Sequence, residues 1–350
     1  MPRYALLVHP GHNRIYFETA LAISQLELTA LLQAAGQAPQ GMEIVAQAGI
    51  PTTLRFSLEG EAMAQTLAAI ACSSSCLGLF QVIEQDLLRP VALPQIGTFP
   101  EGMNQILRYS GKTNEQFTRL MVNLAKSACL SEGAQKTLLD PMCGKGTTLL
   151  EGLIRGDNVV GVEINDKWLT DMQAYLIRYL KTGRFKHRIK KEKRSDERGR
   201  KLADGFLIET AATRDDFVAD ARQKLQVFAS DTRNCDRLLR KQSCDMIVSD
   251  LPYGVQHGSK TAAKATPAKG TITRRPDELL AEALPGWVRA MKPGASLVIS
   301  FNAFTLKTDR AAELCTQAGL QVLTEAPFAG YAHRVDQSIN RDLVVARLPL

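Results

Sequence analysis

Residues 137–148 read Thr137-Leu138-Leu139-Asp140-Pro141-Met142-Cys143-Gly144-Lys145-Gly146-Thr147-Thr148. A short apolar run ends in an acid, enters a glycine-bearing turn and leaves it as the helical pattern Thr147–Arg155. That succession predicts the first βα unit of an open α/β sheet. Gly144 and Gly146 let the backbone approach a ligand closely and leave helix N–H groups pointing at it. A dinucleotide fingerprint needs a third glycine where Leu149 stands, so a nicotinamide cofactor is disfavoured. A Walker loop fails as well, because Lys145 lies between the glycines. A strand-terminal carboxylate can hold an ammonium group, which suits a nucleoside carrying an amino acid, namely S-adenosylmethionine. Asp140, Met142, Cys143, Gly144, Gly146 and Thr147 are the candidate contacts.

Three further strand ends follow in order. Val159–Val162 runs into Glu163-Ile164, with Glu163 17 residues after Gly146. An acid at that place typically accepts hydrogen bonds from both ribose hydroxyls. Gln226–Ala229 ends in Ser230-Asp231-Thr232, where Asp231 suits the adenine amino group. Asp245–Ser249 ends in Asp250-Leu251-Pro252-Tyr253-Gly254. This last run joins a carboxylate, a proline-fixed carbonyl and an aromatic ring, the set that a flat, amino-bearing base requires. Taken singly, each acid reads as an ordinary strand end. Their order at successive carboxyl ends is far more specific, because open α/β sheets bind ligands there.

Repeating strand and helix patterns from Thr137 onward predict a doubly wound, mostly parallel sheet closed by an antiparallel hairpin. Arg214–Leu225 reads as a charged helix. Residues 1–90 show the order β-α-β-β-α-β of a small ferredoxin-like α+β domain. Residues 91–113, rich in Pro and Gly at the start, read as a linker, and 114–350 as the α/β domain with a basic insertion at 181–205.

At these motifs the chain resembles the class I S-adenosylmethionine-dependent N-methyltransferases with an Asp/Asn-Pro-Pro-Tyr motif. More narrowly, it resembles the tRNA guanine-N2 methyltransferases that often carry a THUMP domain. Those have D-P-x-C-G-x-G-T, matched by Asp140 to Thr147, and D-x-P-Y/F-G, matched by Asp250 to Gly254. The resemblance covers roughly residues 98–348. It implies an α/β, Rossmann-like sheet of seven strands in the order 3-2-1-4-5-7-6, S-adenosylmethionine as cofactor, and in some relatives a small activator subunit. It also implies methyl transfer to an exocyclic base amine. Asp250 and the Leu251 carbonyl would accept the amine hydrogens, Pro252 would fix the turn, and Tyr253 would stack on a flipped base. Leu251 stands where the motif has its first proline, a place whose role is a backbone carbonyl.

The net charge of +7 is concentrated in one segment. Residues 181–201 hold eleven Lys/Arg and three Asp/Glu, against 32 and 33 in the rest of the chain. A second, acid-free run at 257–275 carries five basic residues. Both runs suit RNA phosphates; either alone also reads as a solvated insertion. The loop Tyr331-Ala332-His333-Arg334 is expected to reach the substrate. Seven scattered cysteines lack zinc spacing, so no metal is expected. No apolar run suits a membrane span and no signal peptide is recognisable, which points to the cytoplasm. Two rival activities are methylation of adenine N6 or cytosine N4 in DNA, which usually needs a separate target-recognition domain, and methylation of a protein glutamine, which favours Asn-Pro-Pro-Tyr. A third reading is a non-catalytic RNA-binding relic of the fold, disfavoured by the intact acids at 140, 163, 231 and 250.

Overall fold

The computed structural model describes residues 1–9, 14–47, 49–84, 87–105, 112–253 and 276–350. Gly254 and the basic run 257–275 lie outside the described residues.

The amino-terminal unit runs β1 (Arg3–Val8), α1 (Arg14–Ala34), β2 (Gln40–Val45), β3 (Thr53–Ser57), α2 (Ala64–Cys72), β4 (Cys76–Val82) and β5 (Leu88–Val91). The strands pair antiparallel in the order β2-β3-β1-β4-β5. Alternation puts Tyr4, Leu6, Leu54 and Phe56 on the face that α1 and α2 cover with Leu28, Leu32 and Ile70. β5 falls across the expected domain boundary at residue 90. Its Pro90 is tolerated because β5 is an edge strand.

This unit is fastened to the rest of the chain by a buried carboxylate. Glu27 of α1 accepts hydrogen bonds from Asn123 Nδ2 (2.7 Å), the Ser74 N–H (3.0 Å) and the Ser74 hydroxyl (2.7 Å). Burial outweighs these donors and raises its pKa.

After α3 (Gly102–Gln105) and α4 (Glu115–Ala128), the second sheet is built from β6 (Thr137–Asp140), α5 (Thr147–Ile154), β7 (Asn158–Glu163), α6 (Asp166–Thr182), β8 (Lys186–Ser195), β9 (Lys201–Ala211), α7 (Arg214–Val218), β10 (Gln223–Ala229), α8 (Cys235–Leu238) and β11 (Cys244–Asp250). It is completed by α9 (Pro276–Ala290), β12 (Met291–Asn302), α10 (Thr308–Gln317), β13 (Gln321–Val322), β14 (His333–Arg334) and β15 (Asn340–Arg347). The strand order is β13-β15-β12-β11-β6-β7-β10-β9-β8, with β14 paired to β15. β6, β7, β10, β11 and β12 are parallel to their neighbours in that series, so their carboxyl ends share one rim. The interiors of β11 and β12 are buried on both faces, as expected of central parallel strands.

The basic segment folds as a regular hairpin of β8 and β9 that extends the sheet beyond β10. One expectation is corrected: Arg214–Leu225 is not one helix. α7 stops at Val218, Asp220 takes a positive φ of 62°, and Gln223, Leu225 and Val227 enter β10 as alternating buried residues. No helix among the described residues is long and apolar enough to cross a membrane. All seven cysteines are free thiols.

α4 begins on a well-formed cap, since the Asn114 side chain accepts from the N–H groups of Gln116 (2.7 Å) and Phe117 (3.3 Å). Asn114→Ala should lower stability by about 1 kcal/mol, read as a shift in the urea unfolding midpoint at constant slope.

Candidate active site

The rim gathers the four sequence-predicted acids. Asp140 is buried at the end of β6. Its Oδ1 accepts from the Met142 N–H (3.1 Å) and from the Ser249 hydroxyl on β11 (3.0 Å). Desolvation is the main cause that pushes its pKa up to about 7; these donors and Thr148 oppose it, and the charge of Asp250 adds to it. The loop that follows is held against β7, where the Cys143 N–H donates to the Val162 carbonyl (3.0 Å). Leu149, standing where a dinucleotide fingerprint has glycine, packs into the space left by Gly161. A Cβ on Gly161 would lie 2.6 Å from Leu149 Cδ1 and 2.8 Å from Cys143 Sγ.

Gly146, the residue before α5, has φ 91°, and a Cβ there would meet Met172 Sδ at 2.9 Å. Gly144 has φ 54°, and a Cβ there would meet nothing within 4 Å, so the loop leaves open space on that side. Thr147 and Thr148 start the helix behind it. Lys145 turns away to Asp171 of α6, Nζ to Oδ2 2.8 Å.

Glu163 is buried at the end of β7. It accepts from the Gly144 N–H (2.9 Å) through one oxygen and from the Asn165 N–H (2.8 Å) through the other. Burial raises its pKa in spite of both. The Ile164 N–H opposes that rise as well, and a carboxylate with about four acceptor positions keeps acceptor capacity for a ribose hydroxyl. Ile164 beside it is an exposed apolar side chain, 56% accessible. Asp231 is more committed. Arg233 binds it through Nε (2.9 Å), a terminal nitrogen (2.7 Å) and its own backbone N–H (2.9 Å), and this pairing lowers its pKa. Thr232 is buried and accepts from Trp287 Nε1 (3.0 Å), which makes it a support for the loop.

At the end of β11, Asp250 is held by two hydroxyls. Thr113 Oγ1 donates to Oδ2 at 2.6 Å, and the Tyr253 hydroxyl lies 2.8 and 3.0 Å from the two oxygens. Leu251 is buried and its N–H donates to the Ser300 carbonyl (2.8 Å), while Pro252 is exposed. Burial, with the charge of Asp250, raises the Tyr253 pKa, so the phenol stays a donor.

Sequence reading missed Thr113, Phe117 and Arg341. The cap at Asn114 was the available signal for the first two. Arg341 reaches the site from β15, with Nε donating to the Tyr253 hydroxyl at 2.7 Å. The loop around Tyr331 is corrected: Tyr331 is fully buried with its hydroxyl on the Pro327 carbonyl (2.7 Å), and His333 packs on Phe117 at 5.4 Å between ring centroids. Ala332 and Arg334 of that group are exposed.

Residues 107–272 match the model of the UPF0020 family, described as RMKL-like, methyltransferase domain. That stretch therefore carries a methyltransferase domain. Its cofactor is S-adenosylmethionine, and the Gly144 opening, the Asp140 carboxylate and the remaining acceptor capacity of Glu163 fit that group.

No curated protein matches the chain. Solved structures that resemble it include the rRNA methyltransferase aviRa from Streptomyces viridochromogenes, at 16% identity and a TM-score of 0.40, covering 70% of this chain and 90% of that one. TehB from Haemophilus influenzae follows at 13% and 0.35, covering 65% and 61%. The T. thermophilus 16S rRNA N2 G1207 methyltransferase gives 14% and 0.29, covering 63% and 37%. The assignment rests on the family match and the site geometry, since these scores are too low to add to it.

The raised pKa of Asp140 has a definite sign. The carboxyl is neutral below about pH 7 and charged above it, and only the charged form attracts an ammonium. S-adenosylmethionine affinity, measured by isothermal titration, should therefore rise between pH 5.5 and 7.5, by up to about tenfold per unit on the acid side. Asp140→Asn should bind weakly and flatten that dependence.

Proposed function

We propose that the enzyme methylates an exocyclic amino group of a nucleobase in RNA, with guanine N2 in tRNA as the substrate that fits best. The observation that carries this reading is the state of Asp250. Thr113 and Tyr253 orient its carboxylate through two accepted hydrogen bonds and leave about two acceptor positions open. Guanine offers adjacent N1–H and N2–H donors that one carboxylate takes together.

The sheet supports the same reading. Taken from β10 through β7, β6, β11, β12 and β15 to β13, its order corresponds to 3-2-1-4-5-7-6 of a class I methyltransferase, and the amino-terminal unit corresponds to a ferredoxin-like domain.

When bound, S-adenosylmethionine supplies an electrophilic methyl group. The remaining work falls to the chain. An exocyclic amine is a poor nucleophile because its lone pair is delocalised into the ring. Asp250, together with the Leu251 carbonyl, accepts the amine hydrogens and so favours a more tetrahedral nitrogen with its lone pair directed at the methyl. Pro252 fixes the turn. Positioning and electrostatics of this kind supply the rate. The Tyr253 ring is half-buried with its hydroxyl on Asp250, an arrangement that leaves a ring face for the base.

Phosphates are assigned to the β8–β9 hairpin and to residues 257–275. Lys186, Arg188 and Lys190 are exposed along β8, followed by Lys191 and Lys193.

Asp250→Ala should reduce transfer by at least about a thousandfold while S-adenosylmethionine binding survives. Near-normal transfer would remove the motif from the mechanism. Incubation with labelled cofactor and total tRNA, rRNA or DNA, followed by nucleoside analysis, should yield N2-methylguanosine from tRNA; label in DNA alone would overturn the reading. Replacing Lys186, Lys190, Lys191 and Lys193 by Gln should flatten the salt dependence of RNA binding, with the slope falling by about 0.7 to 0.9 per lost phosphate contact. An unchanged slope would leave the hairpin without a role in binding.

A further inference from the structure

Arg341 stands at this rim with a chemistry that the proposed function does not use. It lies at the start of β15. The strand register sets it opposite Asn302 of β12, two residues beyond Ser300, which is itself opposite Asp250. Its side chain thus reaches the same rim as Asp250 from two strands away.

The guanidinium is held in place by aromatic rings. Its Cζ is 4.2 Å from the Phe117 centroid and 5.4 Å from that of Tyr253. Nε donates to the Tyr253 hydroxyl, and the residue is only 7% exposed. Among the described residues no carboxylate forms an ion pair with it, and its two terminal nitrogens make no hydrogen bond. A buried cation without a paired anion is costly, and a fork of five donors using one is far from satisfied. The partly buried Arg119 and Arg155 of this domain are, by contrast, paired with Glu151.

We propose that Arg341 is a specificity-determining residue, whose terminal nitrogens donate to the carbonyl oxygen of the base held by Asp250. This rests on the guanine-N2 reading and extends it. The Tyr253 hydroxyl links the two groups by donating to Asp250 and accepting from Arg341. Together they form an acceptor beside a donor. The Watson–Crick edge of guanine presents the complement: N2–H and N1–H for the carboxylate, then O6 for the guanidinium. Adenine presents an unprotonated N1 and a 6-amino group, so it would set a lone pair against the carboxylate and a donor against the guanidinium. The site therefore rejects adenine at both positions, and leaving buried polar groups unpaired is an effective basis for selection. The Phe117 ring on one side and the hydrogen bond to the Tyr253 hydroxyl fix the guanidinium, which an ammonium on a flexible stem would not reproduce.

The test uses an RNA substrate with one target guanine, and the same RNA with 6-thioguanine there. The thio base keeps N1–H and the 2-amino group but offers sulfur, a weak acceptor, in place of O6. The wild-type enzyme should prefer guanine by about tenfold or more in kcat/KM. Arg341→Met should lose activity on guanine and bring the ratio close to one, and Arg341→Lys should retain part of the preference. The ratio isolates the contact because a general loss of structure lowers both substrates alike. If Arg341→Met does not fold, the drop in ratio for Arg341→Lys decides. A wild-type ratio retained in both variants overturns the proposal. An equal loss on both bases with a flatter salt dependence also overturns it, assigning Arg341 to a phosphate. If the wild-type enzyme methylates no guanine in RNA, the guanine reading itself has failed, and that result is visible before any variant is made.

Discussion

The site depends on a constraint of its sheet: parallel strands bring four carboxylates to one rim, and like charges in a partly desolvated place oppose one another. Asp140, Glu163, Asp231 and Asp250 meet this in different ways. Arg233 neutralises Asp231 directly, and backbone N–H groups solvate Glu163. Two hydroxyls hold Asp250. Asp140 is almost fully buried, and desolvation pushes its pKa up to about 7 in spite of its donors, with the charge of Asp250 adding to the rise. A rim prepared in this way favours a ligand that brings positive charge. S-adenosylmethionine, with a sulfonium and an ammonium against one carboxylate, carries net positive charge of the sign that such a rim favours.

How much of this was legible in the sequence follows from the range of each interaction. The Asp140–Thr147 loop is local: strand, glycines with positive φ and helix start are adjacent in the chain, and they fold as their order says. The four acids were legible for the same reason, each ending its own strand. Thr113 was half legible. Its neighbour Asn114 is a recognisable cap, yet nothing local says that the cap abuts β11, 137 residues away in sequence. Arg341 gave no signal, because its place depends on two successive strand registers. The competing claim of Arg233 on Asp231 spans only two residues and is open to a local reading.

The same distinction explains the pairing of Tyr253 with Asp250. Sequence alone makes the ring a surface for a base. In the folded chain the hydroxyl also orients the carboxylate, and β15 adds a cation behind it. One residue thereby joins stacking to hydrogen bonding. Hydrogen-bonded chains of this kind polarise one another at low local dielectric, so Asp250, Tyr253 and Arg341 act as one unit.

The β8–β9 hairpin escapes a sequence reading because an edge strand of alternating cations resembles a solvated run. Long Lys and Arg stems cover apolar surface while their heads stay in water, which hides the alternation from a hydropathy reading. Edge strands are also protected from pairing with other chains by charge, so some of the lysines on β8 have a purely structural explanation. That explanation covers part of the charge only, because one or two cations suffice to guard an edge. Some basic side chains are spent inside the hairpin, as where Arg188 pairs with Glu209 and Arg194 lies over Phe228 at 5.1 Å. Lys186, Lys190, Lys191 and Lys193 remain exposed on a strand whose neighbours in the sheet lead to the cofactor rim. The surplus sits in a chain that is otherwise close to neutral, and the proposal of a polyanionic substrate rests on this excess over what the edge requires.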